Sequence, residues 1–277
     1  MIGVRSQWLA VALVLGALNA SAGAIMINLG SADSFAVLAG STITNTGSST
    51  IHGSIGLSPG TSVTGFPPGV RTAGGLNVAD AIAVQAKNDL TTAYSFAAGQ
   101  ACDSDLTGLD LGGLSLTPGV YCFNNTAGLT GTVTLNAQGS ANSVFVFKVG
   151  SSLTTASSST VAFINGGHGG RVFWQVTESA TLGSSSDFAG TIMALTSITL
   201  NTSATINCGR ALARNGAVTM DTNVVSINTA GCDSADVSGI PEPSSYLLMT
   251  TGLLAGLFAA ARARSRSRLA AIARIAQ

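Results

Sequence analysis

Short stretches in which apolar and polar residues alternate recur through the middle of the chain: "GTVTLNA", "SSLTTAS", "SATLGSS", "SITLNTS" and "AVTMDTN". Alternation at period two sends one set of side chains into a core and the other to a surface, so each stretch predicts a short strand. Superimposing them stacks Thr134, Thr154, Thr181, Thr199 and Thr219 in one outward column, at separations of 20, 27, 18 and 20 residues. The long interval holds the excursion "INGGHGG", so the underlying period is near 20. A second column three positions on reads Ala137, Ser157, Ser184, Thr202 and Thr222. Short strands repeating at this period predict a solenoid of stacked coils.

Between the threonine segments lie "SVFVFKV", "VAFI", "RVFWQV", "FAGTIMAL" and "GRALA". Their Val, Ile and Phe residues supply the other walls and fill a narrow core. "GSTITNTGSSTIHGSIGLSPG" at residues 40–60 reads as one more coil, detached from the rest. What separates it is a helix predicted at about residues 76–98, with Ala79, Ile82, Ala86, Leu90, Ala93 and Ala97 at helical spacing and Gly99 as its stop. Packed along one wall, it completes a mainly β fold.

Composition turns this architecture toward an unusual surface. Only 9% of the 277 residues are charged, whereas 30 are Thr and 33 are Ser, so the polar surface is mostly hydroxyl. The formal charge is zero, yet residues 25–240 carry six Lys/Arg against eleven Asp/Glu. That negative balance argues against a nucleic-acid partner.

Both ends read as addresses. Residues 1–24 have an early Arg5, an apolar run from Trp8 to Leu18 and small residues Ala20, Ala22 and Ala24, the layout of a secretory signal peptide. An apolar run of that length is too short to span a bilayer. Residues 236–277 join Pro241, Glu242 and Pro243 to an apolar stretch from about Tyr246 to Ala261 and then to Arg262, Arg264, Arg266 and Arg268. This order resembles the PEP-CTERM sorting signal of Gram-negative bacteria. The resemblance implies transient anchoring in the inner membrane, then recognition and removal by an exosortase; a plain C-terminal anchor is the simpler alternative. Residues 25–235 are left as the working domain, at the cell surface or beyond it.

Cys102, Cys122, Cys208 and Cys232 suit that oxidising location. Four cysteines allow three pairings. Cys102 with Cys122 and Cys208 with Cys232 are favoured because each closes a short loop. His52 and His168 stand apart and the cysteines lack zinc-knuckle spacing, so no metal or other cofactor is expected. "CDSDLTGLD" departs from the calcium-loop pattern and reads as a solvated loop. No nucleophile and base pair up anywhere, which disfavours an enzyme.

The blocks "FAVLAGSTITNTG", "SIGLSPGTSVTGFPPG", "LTPGVY", "ANSVFVFKVGSSLTTASSS", "VFWQV", "ATLGS" and "GRALARNGAVTMDTN" fall in one order over residues 28–228. Together they resemble the bacterial and fungal ice-binding proteins. The resemblance implies a right-handed, discontinuous β-solenoid of triangular section, a long helix alongside, and a first coil docked next to the last. It also implies a non-catalytic role, with ice and its ordered water as the partner of a monomeric, secreted protein.

The residues give that role a physical form. Stacked strands repeat at roughly 4.7–4.9 Å, and alternate residues along a strand at roughly 6.6–6.8 Å. Each Thr adds a hydroxyl that holds water and a methyl that leaves neighbouring water ordered, on a β-branched stem with few rotamers. The expected ice-binding residues are therefore Thr134, Thr154, Thr181, Thr199 and Thr219, with Ser157, Ser184, Thr202 and Thr222 beside them. Asp221 and Asp187 lie close in sequence and mark either the border of this face or another wall as the active one. The alternative role for the same scaffold is an extracellular matrix or biofilm adhesin that binds polysaccharide.

Overall fold

The computed structural model describes residues 24–227 and Cys232, so the expected signal peptide (1–24, apart from Ala24) and the sorting segment at 236–277 lie outside the described residues. Within them the chain forms a three-walled solenoid of parallel strands. Each full coil gives one strand to each wall, as in Phe145–Val149, Leu153–Thr155 and Thr160–Ile164. The next coil repeats the set with Val172–Val176, Ala180–Leu182 and the start of Asp187–Ala194. Two long strands, Asp187–Ala194 and Thr205–Ala213, turn a corner and serve two walls each, which merges those walls into one 15-stranded sheet. The first bend falls at Gly190, whose φ of +99° and approach to Val172 leave no room for a side chain: a Cβ there would lie 2.7 Å from the Val172 carbonyl oxygen.

The third wall is a separate seven-stranded sheet whose order breaks sequence order. Ala127–Leu129, Leu153–Thr155, Ala180–Leu182, Ile198–Leu200 and Val218–Met220 follow one another, and then come Thr42–Asn45 and Ser62–Thr64. The first coils of the chain are thus docked beyond its last one. Having finished that end at Leu76–Val78, the chain must return to the far end to begin Ser104–Asp105. Eight strand spacings separate these points on their common wall, about 38 Å. The helix Ala81–Gly99 supplies roughly 28 Å of that span and its flanking residues the rest.

The helix begins five residues later than the periodicity predicts. Leu76–Val78 is still a strand, paired with Ser54–Leu57, because the chain is completing a coil there. Ala79 then adopts φ 50°, and the Asp80 carboxylate caps the helix by accepting from the Ala83 amide at 2.8 Å. Its buried face is Ala83, Ala86, Leu90, Ala93, Tyr94 and Ala97. Ile82, expected on that face, is 58% exposed.

This helix explains the near-continuous apolar runs. Strands in the wall beneath it are covered on both sides, so Val120, Val146, Phe173, Met193 and Leu212 meet the helix while their alternates fill the coil interior. Inside, Tyr121, Phe147 and Trp174 stack at centroid distances of 5.5 and 3.9 Å, and Phe188 packs tilted against Trp174 at 4.9 Å. The Trp174 indole N–H donates to the Ala189 carbonyl at 3.1 Å. Both favoured disulfides form, Cys102–Cys122 and Cys208–Cys232, with Cα separations of 5.9 and 5.2 Å.

Candidate functional site

On the seven-stranded wall the five three-residue strands from Ala127–Leu129 to Val218–Met220 bury their two ends and show their middle residue. Leu153 and Thr155 point in, Thr154 out; Ala180 and Leu182 in, Thr181 out; the pattern holds for Thr199 and Thr219. The ladder pairs Thr154 with Thr181, Thr181 with Thr199, and Thr199 with Thr219. It continues across the break in the chain to Thr44 and then Thr64. The result is one unbroken column of six threonines.

Thr134 does not belong to this column. It lies in Thr132–Asn136 on another wall, aligned with Ser115 and Ala162, and Gly128 occupies the place next to Thr154. The coil at residues 127–136 contains two apolar-flanked segments, and the one with the stronger alternation belongs to the neighbouring wall. Thr44 and Thr64 escaped the sequence alignment because 150 residues or more of chain separate them from Thr219. The alternation in "STITN" for Thr44 and in "TSVTG" for Thr64 was their only signal.

The second column is also altered at one position. Amide-to-carbonyl bonds from Ser158 to Ser184, from Ser185 to Thr202 and from Ser203 to Asp221 place Ser157, Ser184, Thr202 and Asp221 in line. Thr222 falls instead beside Ser203, in the same left-handed turn conformation (φ 56° and 62°), because its coil is one residue shorter. Asp221 therefore stands at the edge of the wall. It accepts from Thr202 Oγ1 at 2.5 Å and from Thr222 Oγ1 at 3.1 Å. The Thr202 hydroxyl, then those of Thr222 and Thr46, hold its carboxyl below the usual range, so it stays ionised. At the opposite corner, Glu178 accepts from the hydroxyls of Ser151 and Ser152 at 2.8 and 3.1 Å. Both carboxylates border the threonine column.

Many hydroxyls elsewhere are engaged by the fold itself. Thr155 bonds Ser186 and the Gly183 amide, Ser159 bonds the carbonyls of Leu129 and Ala156, and Ser197 accepts from the Ala217 amide. The six column threonines differ: among the described residues none of their hydroxyls has a protein hydrogen-bond partner. Their donors and acceptors are left for water.

The other exposed wall is less regular. Its equivalent column reads Thr132, Thr160, Asp187, Thr205, Val224, Thr50 and Val70. Asp187 interrupts it with a carboxylate bound to Thr205 Oγ1 and Asn207 Nδ2 at 3.0 and 2.6 Å. Beside it Phe163, His168 and Asn207 line a hollow of about 200 Å³. The acidic loop near Cys102 builds turns: Asp105 accepts from the Thr107 amide and Asp110 from the amides of Gly112 and Thr130. Among the described residues no group of three His, Cys, Asp or Glu is placed to hold a metal.

Known proteins of this architecture are close in sequence. The profile of the family described as Ice-binding-like matches residues 37–226. An ice-binding protein of Nostoc sp. (strain HG1) is 52% identical over 232 residues, covering 83% of this chain and 85% of that protein. One of Flavobacterium frigoris (strain PS1) is 35% identical over 216 residues, covering 73% of this chain and 76% of that protein. The crystal structure of an ice-binding protein from an Antarctic biological consortium superposes with a TM-score of 0.71 at 47% identity, over 74% of this chain and 92% of that one. That of the ascomycete Antarctomyces psychrotrophicus gives 0.71 at 39% identity, over 74% and 100%. The chain belongs to the ice-binding-like family.

Proposed function

We propose that this protein binds ice through the wall that carries Thr154, Thr181, Thr199, Thr219, Thr44 and Thr64. The observation that carries the reading is the column itself: six hydroxyls in register, exposed in whole or in part, with no protein partner. Backbone pairing fixes their spacing near 4.7–4.9 Å before any water arrives. The β-branched stems restrict rotamers, so little side-chain entropy is lost when the water layer over them orders. Methyl groups between the hydroxyls leave that layer free to complete its own hydrogen bonds. A carboxylate would impose a tighter, differently directed shell; Asp221 and Glu178 stand at the corners of the wall and Asp110 beyond Gly128 at its end, all outside the run of six threonines.

Ser157, Ser184 and Thr202 extend the surface toward the Asp221 corner, and Thr222 lies behind it in the turn. The role is non-catalytic and needs no cofactor. The protein acts as a monomer, exported by residues 1–24 and sorted by the Pro241-Glu242-Pro243 segment through an exosortase to the surface or exterior of a Gram-negative cell. The relatives and solved structures given above, all ice-binding proteins, support the ice-binding part of this reading.

The test is direct. The disulfide-oxidised domain, added at micromolar concentration to a slowly growing single ice crystal, is expected to facet the crystal and to suppress recrystallisation of a polycrystalline film. Rounded growth and ordinary coarsening in the presence of folded protein would defeat the proposal.

A further inference from the structure

The threonine column crosses a seam in the chain. Thr154, Thr181, Thr199 and Thr219 stand on successive coils, whereas Thr44 and Thr64 belong to the N-terminal segment, which reaches the last coil by docking. On the helix-covered wall the backbone ladder at this seam is short, with Val37 opposite Ala211 and Leu38 opposite Leu212. Side chains take over where it stops. Arg210, 8% exposed, donates from Nη2 to the Asp33 carboxylate at 2.6 Å, from Nε to the Asp33 carbonyl at 2.9 Å and from Nη1 to Thr191 Oγ1 at 3.3 Å. Asp33 sits in the 3-10 turn Gly30–Ser34, directly ahead of the docked strand Phe35–Ala39. Arg210 and Thr191 belong to the continuous solenoid, and Asp33 belongs to the segment that must find it.

We propose that Arg210 and Asp33 are positioning residues for ice binding: their pair holds the N-terminal segment in the register that lines Thr44 and Thr64 up with Thr219. The proposal rests on the threonine wall being the ice-binding surface. A buried guanidinium is tolerated only with its charge and donors matched. Asp33 supplies both the carboxylate and a carbonyl, so the docked register satisfies Arg210, and undocking or slipping by one residue strands it. A slip would also turn Thr44 inward, because successive strand residues face opposite ways.

The experiment compares the full chain with Asp33→Asn, which keeps the shape of a half-exposed side chain and removes its charge. A third protein adds a lock, Thr50→Cys with Val224→Cys. These residues face each other across the same seam on the wall without the threonine column, at a spacing of about 4.8 Å that a disulfide accommodates. Freezing-point depression and amide hydrogen exchange are read on all three, with Thr44→Tyr/Thr64→Tyr as the reference for a wall lacking its docked part. Asp33→Asn is expected to fall to the activity of that reference. It should lose more than about tenfold of protection in Phe35–Ala39 and Thr42–Asn45, while Ala180–Leu182 and Ile198–Leu200 keep theirs. The lock should restore both. Unchanged activity in Asp33→Asn, loss that the lock does not restore, or loss of protection in every coil at once would overturn the assignment. Should the parent chain leave ice untouched, the ice reading fails by itself, and exchange alone decides whether the pair holds the seam.

Discussion

Threonine plays two roles here that its position on the strand separates. Thr155 points into the coil, where its hydroxyl meets Ser186 and the Gly183 amide; Thr154, one residue earlier, points out and meets no protein group. Thr155→Val therefore orphans a buried amide and is expected to cost about 1–3 kcal/mol of stability by urea unfolding, with recrystallisation inhibition retained. Thr199→Val should do the reverse. A β-branched residue still fits the exposed strand, so stability stays within about 0.5 kcal/mol while inhibition of recrystallisation drops. At this scale the sequence was readable for Thr154, Thr181, Thr199 and Thr219, because alternation alone orients them. It was unreadable for Thr134 and Thr222, since alternation says which way a side chain points but not which wall it leaves from, and a single missing residue in a turn shifts everything after it.

Among elements, the helix carries the clearest chemical signature. Lys87 reaches from it to the carbonyls of Ala213 and Arg214, bonding the first at 2.6 Å. Burial, joined by the nearby Arg214 charge, lowers its ammonium to about 8 from the ordinary 10.5. Because the unfolded chain then binds the extra proton across that window, stability should rise as pH climbs from about 8 toward 10.5. Urea midpoints measured over this range should flatten in Lys87→Met. The first coil after the helix is fastened by Cys102–Cys122, a separation of 20 residues. Replacing both cysteines by serine should cost about 3 kcal/mol if loop closure dominates, again read by urea unfolding. The helix itself was legible from Ala86, Leu90, Ala93 and Ala97. Its start was not, because Leu76 and Val78 belong to a strand whose apolar spacing merges with the helical one until Ala79 breaks the chain direction.

For the whole molecule, function depends on an assembly that the linear repeat does not display. A period near 20 residues predicts stacked coils, but not that coils from both ends of the chain meet. That expectation came from family resemblance, and the ladder from Thr219 to Thr44 and Thr64 shows its physical basis: an end coil with unpaired strand edges is covered by another part of the same chain. The helix then repays the distance the chain has travelled. Two walls remain open to solvent: one carries six threonines in a row with no charge among them and Asp110 beyond Gly128 at its end, the other is interrupted by Asp187 and hollowed beside His168. The central claim is that the first of these holds ice. It is tested most directly by following fluorescently labelled protein on a single ice crystal. Thr181→Tyr/Thr199→Tyr places bulk on the threonine wall, and Thr134→Tyr/Thr160→Tyr places the same bulk on the other, with folding checked in each. The account predicts that the first pair abolishes adsorption and the second leaves it intact; adsorption that survives the first pair, or is lost only with the second, would contradict it.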